Sequence, residues 1–265
     1  MTEGKYPQRR IAFRVEYDGT HYHGWQSQPG VMPTLQGTIE DALSTFFGRV
    51  TAIQGASRTD AGVHALDQVA ATTIEHPIST TGFVKAINHR LPPDISIRSA
   101  QEVELTFNPR FENHGKMYCY KIYEGKIRRP LLDRTHWRIP WLLDIDAIGE
   151  ASLALQGTHD FASFVASDGQ HKTTQRTIED ITWTRVNSSQ HLMTIRGTAF
   201  LKHMVRNIVG TLVDIGRGHR PPASIPAILD ACQRSAAGPT APSSGLVLQR
   251  VYMHYDEQTD LAKPI

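Results

Sequence analysis

Arg58 and Asp60 lie two residues apart in the string Gly55-Ala56-Ser57-Arg58-Thr59-Asp60-Ala61-Gly62-Val63-His64-Ala65. A cation close to a carboxylate favours its ionised form, so the spacing predicts a charged Asp60. An ionised, fixed aspartate serves as nucleophile or general base. Gly55 and Gly62 open backbone conformations closed to other residues and let another molecule approach the chain. Read alone, Arg-x-Asp-x-Gly equally fits a turn whose Asp accepts from local backbone amides. His64, four residues on, would pair with Asp60 in a hydrolase, although the β-leaning run after it points to a structural histidine. Asp67 is the next carboxylate able to replace Asp60 as nucleophile.

Three later strings carry groups suited to bases and phosphates. In Lys116-Met117-Tyr118-Cys119-Tyr120-Lys121-Ile122, strand periodicity puts Tyr118, Tyr120 and Ile122 on one face. Such a stripe fills a sheet core, and aromatic faces also stack unpaired bases. Phe200-Leu201-Lys202-His203-Met204-Val205-Arg206-Asn207 enters a helix in which Met204, Ile208, Leu212 and Ile215 share a face and Arg206 falls off it. Ala241-Pro242-Ser243-Ser244-Gly245-Leu246 leads into a closing strand. Tyr17-Asp18-Gly19-Thr20, then Gly24-Trp25-Gln26, reads as a strand end, a turn and a core tryptophan. His21 and His23 have metal-ligand spacing but no third partner, and Cys119 and Cys232 are isolated, so no metal is predicted. A Gly-rich nucleotide loop is also missing from the sequence.

The elements that must position these groups follow from periodicity. Ile11, Phe13, Val15 and Tyr17 alternate as a strand. Leu35, Ile39, Leu43 and Phe46 mark a helix that starts at Thr34 and ends near Gly48. Strands are expected at 50–53 and 68–74, a helix from Ser79 to the Pro92-Pro93 stop, and a strand over 94–104. This is the split βαβ order. A second round is predicted from a strand at 117–123, a helix at 145–155, a hairpin of 181–186 and 192–195, helices at 203–216 and 224–234, and a strand at 246–252. The expected architecture is α+β, two ferredoxin-like lobes with largely antiparallel sheets joined around a central cleft. The lobes are residues 1–108 and 109–265.

At 265 residues, 40% hydrophobic and 20% charged, the chain has the composition of a globular protein of one or two domains. No apolar run reaches the length of a membrane span, Met1 to Lys5 lacks a signal-peptide core, and two cysteines make no disulfide framework. A cytoplasmic protein is expected. Net charge is only +2, so clustering matters more than the sum: Arg9-Arg10, Lys126 with Arg128 and Arg129, and Lys202 with Arg206. The residues by themselves leave a non-catalytic module for structured RNA open beside an enzyme.

The string Arg58-Thr59-Asp60-Ala61-Gly62-Val63-His64-Ala65 resembles the signature of the tRNA pseudouridine synthase A family. Tyr17-Asp18-Gly19-Thr20 with Gly24-Trp25-Gln26, Lys116-x-Tyr118-x-Tyr120, Phe200 to Gly210 and Ala241-Pro242-x-x-Gly245-Leu246 are similar to further family motifs, in the same order. The resemblance implies isomerisation of uridine to pseudouridine in the tRNA anticodon stem-loop, at positions 38 to 40, by a homodimer without cofactor or metal. It implies Asp60 as nucleophile, Arg206 as its partner, Tyr118 and Leu246 on either side of the uracil, and Arg58 near the displaced base. Lys202 stands where the family commonly has an aromatic residue; it and the exposed-loop cations Arg128 and Arg129 are assigned to RNA backbone.

Overall fold

Alternation from Ile11 to Tyr17 builds β1, Arg9–Tyr17, whose Ile11, Phe13, Val15 and Tyr17 are buried. The computed structural model describes residues 6–28, 30, 33–168 and 172–257; the Met1 to Lys5 segment lies outside them. The chain separates into two compact units, dividing between His114 and Gly115 and again between Val247 and Leu248.

In the first unit, β1 is followed by α1 (Leu35–Phe47), β2 (Gln54–Gly55), β3 (His64–Ile74), α2 (Thr80–Asn88) and β4 (Ile95–Val103). β1 runs antiparallel between β3 and β4, with Phe13 opposite Ala70 on one side and Ala100 on the other. β2 pairs antiparallel with β3. Thr34 caps α1 by accepting from Gly37 N–H at 3.2 Å, and the helix ends at Gly48, φ +67°. α1 buries Leu35, Ile39 and Leu43, and α2 buries Phe83 and Ile87, with the Phe83 and Phe13 rings 5.6 Å apart.

The strand expected at 50–53 does not form. Thr51 N–H donates to Ser44 Oγ at 3.0 Å, Ile53 N–H to Glu40 Oε1 at 2.9 Å, and the Ala52 carbonyl accepts from Thr72 Oγ1 at 2.9 Å. Side chains of α1 and β3 thus satisfy backbone groups that a sheet ladder would otherwise take. α2 also ends short of Pro92: Arg90 N–H and Leu91 N–H both donate to the Ile87 carbonyl, at 2.8 and 3.1 Å, in a closing turn, and the Asn88 amide bonds both Ile97 N–H and C=O, at 2.7 and 2.8 Å.

The second unit holds most of β5 (Asn113–Glu124), then α3 (Pro130–Asp133), β6 (Trp137–Ile139), α4 (Ile145–Leu153), β7 (Gly157–Asp160), β8 (Gln175–Arg185), β9 (Gln190–Gly197), α5 (Met204–Gly216) and α6 (Ile225–Ala231). The strand order is β5-β9-β8-β7, antiparallel at each step, with β6 parallel to β5. β10 (Leu246–Met253) is the last strand among the described residues, and its residues from Leu248 belong to the first unit. α6 is shorter than its apolar pattern suggests because Cys232 takes φ +48°, a left-handed stop. α3, β6 and β7 are too short for periodicity to reveal. The fold class is therefore mixed α/β with mostly antiparallel sheets, and no helix among the described residues is long and apolar enough to cross a membrane.

Candidate active site

Asp60 stands in the loop from β2 to β3, and the residues around it fix that loop from several directions. At its entry, Ala56 N–H donates to the Val69 carbonyl at 2.8 Å, and the buried Gln68 amide brackets Ser57, accepting from its N–H at 3.2 Å and donating to its C=O at 2.7 Å. Thr59 is buried; its carbonyl accepts from Trp25 N–H at 3.0 Å and its Oγ1 lies 2.8 Å from Tyr17 Oη. Past Asp60, Gly62 N–H donates to the Tyr22 carbonyl at 3.3 Å and Val63 N–H to the Asp60 carbonyl at 3.2 Å. Gly55 packs beneath the Trp25 indole, too close for a side chain, and Gly62 takes φ +76°.

Asp60 itself is half-buried. Arg58 is exposed, and no ion pair joins it to Asp60 among the described residues. The cause is local: Thr59 turns inward, and its neighbour Arg58 turns to solvent. His64 is 5% exposed on β3, with Nδ1 3.2 Å from Gly19 N–H and 3.1 Å from an Asp18 carboxylate oxygen. These contacts make it a buried structural histidine, as its position before a strand suggests.

Asp67 is a different case. It pairs with Arg14, which also pairs with Asp256, and all three side chains are largely buried. Burial works against the Arg14 charge, yet the two carboxylates outweigh it and hold the guanidinium above its ordinary pKa. Asp256 in turn accepts from Met253 N–H at 3.0 Å. Asp67 thus ties β3 to β1 through Arg14, and Arg14 carries the contact on to Asp256 in the C-terminal turn.

The second unit gathers Tyr118, Arg206 and the segment before Leu246. Tyr118 on β5 is 6% exposed, its ring edge-on to Phe200 at 5.2 Å. Tyr120 is fully buried, and its hydroxyl donates to the Pro242 carbonyl at 2.6 Å; burial raises its pKa. Arg206, in the first turn of α5, donates from Nε to the Ala241 carbonyl at 2.8 Å, while Ala241 N–H donates to the Arg206 carbonyl at 3.1 Å. The Ala241-to-Leu246 loop is therefore bonded to both α5 and β5. Leu246, at the start of β10, is 6% exposed. Tyr118, Arg206 and Leu246 are brought onto one mutually bonded framework.

The three cations assigned to RNA backbone are all exposed. Arg128 lies 2.8 Å from Asp133 and Lys202 2.6 Å from Asp168. Exposed pairs of this kind are weak, so either cation can exchange its carboxylate for a phosphate. Arg129 precedes α3, and its backbone N–H donates to Tyr123 Oη at 3.1 Å. Among the described residues no group of three or more His, Cys, Asp or Glu is placed to hold a metal ion.

Sequence reasoning misses the frame around Asp60. It takes Tyr17 as a strand residue and Trp25 as core, and both are buried. The available signal is chemical: a buried tyrosine needs a partner for its hydroxyl, and Thr59 is the polar side chain beside the candidate carboxylate.

The model of the tRNA pseudouridine synthase family matches residues 14–112 and 151–256, which include the Asp60 loop and both Arg206 and Leu246. Among curated proteins, tRNA pseudouridine synthase A of Myxococcus xanthus is 40% identical over 243 residues, covering 92% of this chain and 91% of that protein. The Geotalea daltonii protein of the same name is 42% identical over 244 residues, covering 92% and 99%. A crystal structure of a Cbf5-Nop10-Gar1 complex covers 95% of this chain and 66% of that one at 10% identity, with a TM-score of 0.36. The sequence matches establish that the chain belongs to the tRNA pseudouridine synthase A family, enzymes that isomerise uridine to pseudouridine.

Proposed function

We propose that this protein converts uridine to pseudouridine at positions 38 to 40 of the tRNA anticodon stem-loop, with Asp60 as nucleophile. The observation that carries the reading is the family match over the two segments that hold Arg58, Asp60, Arg206 and Leu246. Asp60 attacks C1′ of the ribose or C6 of the uracil; the glycosidic bond to N1 breaks, the base turns, C1′ rejoins at C5, the Asp60 carboxylate is released, and the proton lost from C5 is balanced by one gained at N1. The reaction is an isomerisation, so its atoms balance without a co-reactant. A stacked base must first leave the helix, at a cost of a few kcal/mol. Tyr118 and Leu246 hold the two faces of the uracil, and Arg206 orients Asp60. Arg58, which is exposed, fills the gap left by the base or meets an adjacent phosphate.

The same reading takes the chain as two ferredoxin-like lobes, residues 1–108 and 109–265. The antiparallel order β4-β1-β3 with β2 on the far side of β3 supports this for the first lobe. The sequence of β5, α4, β8, β9, α5 and β10 repeats its order of elements. The protein works as a cytoplasmic homodimer. Incubation with unmodified tRNA, followed by carbodiimide treatment and primer extension, tests the function. Stable adducts confined to positions 38 to 40, in RNA of unchanged length, are expected. Adducts elsewhere would move the substrate site, and unchanged uridines would leave an RNA-binding module.

A further inference from the structure

We infer that Tyr17, Thr59 and Gly24 form a positioning frame for Asp60, in which a buried hydroxyl pair sets the aim of the carboxylate instead of stabilising the fold. The inference rests on the reading of Asp60 as the reacting group.

Thr59 is fixed through both its main chain and its side chain. Its Oγ1 and Tyr17 Oη are 2.8 Å apart and buried, and its carbonyl accepts from Trp25 N–H at 3.0 Å. Tyr17 ends β1, is 3% exposed and packs against the Trp25 ring at 5.9 Å, so its hydroxyl is held by the sheet and by an aromatic neighbour. Gly24 lies across the loop. It takes φ +92°, and a Cβ there would come within 2.7 Å of the Thr59 carbonyl oxygen and 3.2 Å of Ala61 N and the Asp60 carbonyl carbon. A residue with a side chain at position 24 would push directly on the backbone that carries the carboxylate.

The chemistry of the pair distinguishes aiming from stability. Removing one of two buried partners leaves the other unsatisfied, whereas replacing both with apolar groups of the same shape is close to neutral for folding. A bond that only stabilises is thus dispensable as a pair. A bond that aims a reacting group is not, because a misplacement of about 1 Å costs about 10²-fold in rate.

The test compares Tyr17→Phe, Thr59→Val, the double variant Tyr17→Phe/Thr59→Val, Thr59→Ser and Asp60→Asn. Thermal unfolding, tRNA affinity and single-turnover rate on saturating tRNA are measured for each. Both single variants should lose Tm, and the double variant should recover it. The double variant's turnover should nevertheless stay depressed by about tenfold to 10²-fold, with tRNA affinity within about twofold of wild type. Thr59→Ser keeps the hydroxyl and should keep the rate within about threefold, a comparison that stands even where the double variant does not fold. A double variant that regains the full rate along with its Tm, or a serine variant as slow as the valine one, overturns the inference. Asp60→Asn separates the two levels. If it is inactive while the double variant is fully active, only the frame is wrong; if it turns over normally, the nucleophile reading and the frame fall together.

Discussion

Asp60 and Asp67 are seven residues apart, flank the start of the same strand and each has an arginine assigned to it, yet the fold treats them in opposite ways. At Asp67 the carboxylate is itself a structural part, buried against Arg14, which also holds Asp256. At Asp60 the neighbouring residues do the holding: Thr59 through its hydroxyl and carbonyl, Gly62 through its N–H, and Asp60 through its own carbonyl. The difference teaches that an aspartate beside an arginine is no site by itself.

The largest expected effect sharpens the structural side of this contrast. Arg14→Met leaves two largely buried carboxylates without their cation and should destabilise the protein by about 3–5 kcal/mol, read from urea unfolding. Turnover of the fraction that remains folded should match wild type. A slowed reaction in fully folded protein would draw the Arg14 network into the site and erase the distinction.

Tyr118 extends the comparison to the second unit. Tyr118→Leu should be severe, because the stacking face is lost. Tyr118→Phe keeps a ring of almost the same size; a fall of about 10²–10⁴-fold would assign proton transfer to the hydroxyl, and a small loss would assign stacking alone. Wild-type rates in both variants would remove Tyr118 from the reaction.

The arginines divide in the same manner as the aspartates. Arg206 is tied into the Ala241 loop, and Arg129 is exposed. Arg206→Ala should lower the saturated rate and leave the salt dependence of tRNA binding nearly unchanged. Arg129→Ala should weaken binding, flatten its salt slope by roughly 0.7 to 0.9, and spare the saturated rate. Loss of affinity alone in both would dissolve the division of labour.

The smallest effect concerns burial as a brake on reactivity. Burial pushes the Cys119 thiol up to about 11, so at pH 8 little of it is thiolate. Native protein treated with iodoacetamide at pH 8 should therefore carry one label, on the exposed Cys232, and two after denaturation. Labelling of native Cys119 would mean that the β5 core opens readily.

Much of the fold is legible in the amino-acid sequence. Alternation finds β1, and three- and four-residue spacing with Thr34 and Gly48 finds both ends of α1. Long periodic elements announce themselves because burial selects one face. The strand misplaced at 50–53 shows the limit: its residues lean towards β, but Glu40, Ser44 and Thr72 claim the backbone groups from elsewhere in the chain. The same limit applies at the site. Motif strings locate Asp60, Tyr118, Arg206 and Leu246, but the pairing of Thr59 with Tyr17 joins residues forty-two apart and leaves no local trace. The exposure of Arg58 is equally invisible, since sequence spacing says nothing about which way a side chain points.

The most direct test of the contrast sets Asp60→Asn beside Asp67→Asn, with single-turnover conversion of uridine, tRNA affinity and Tm measured on each. Asp60→Asn should keep its Tm and bind tRNA within a few fold of wild type while forming no pseudouridine, because a neutral amide is nearly isosteric but cannot act as the nucleophile. Asp67→Asn should lose Tm and still convert its substrate when folded. Pseudouridine formed at the wild-type rate by Asp60→Asn, or abolished in well-folded Asp67→Asn, would contradict the account.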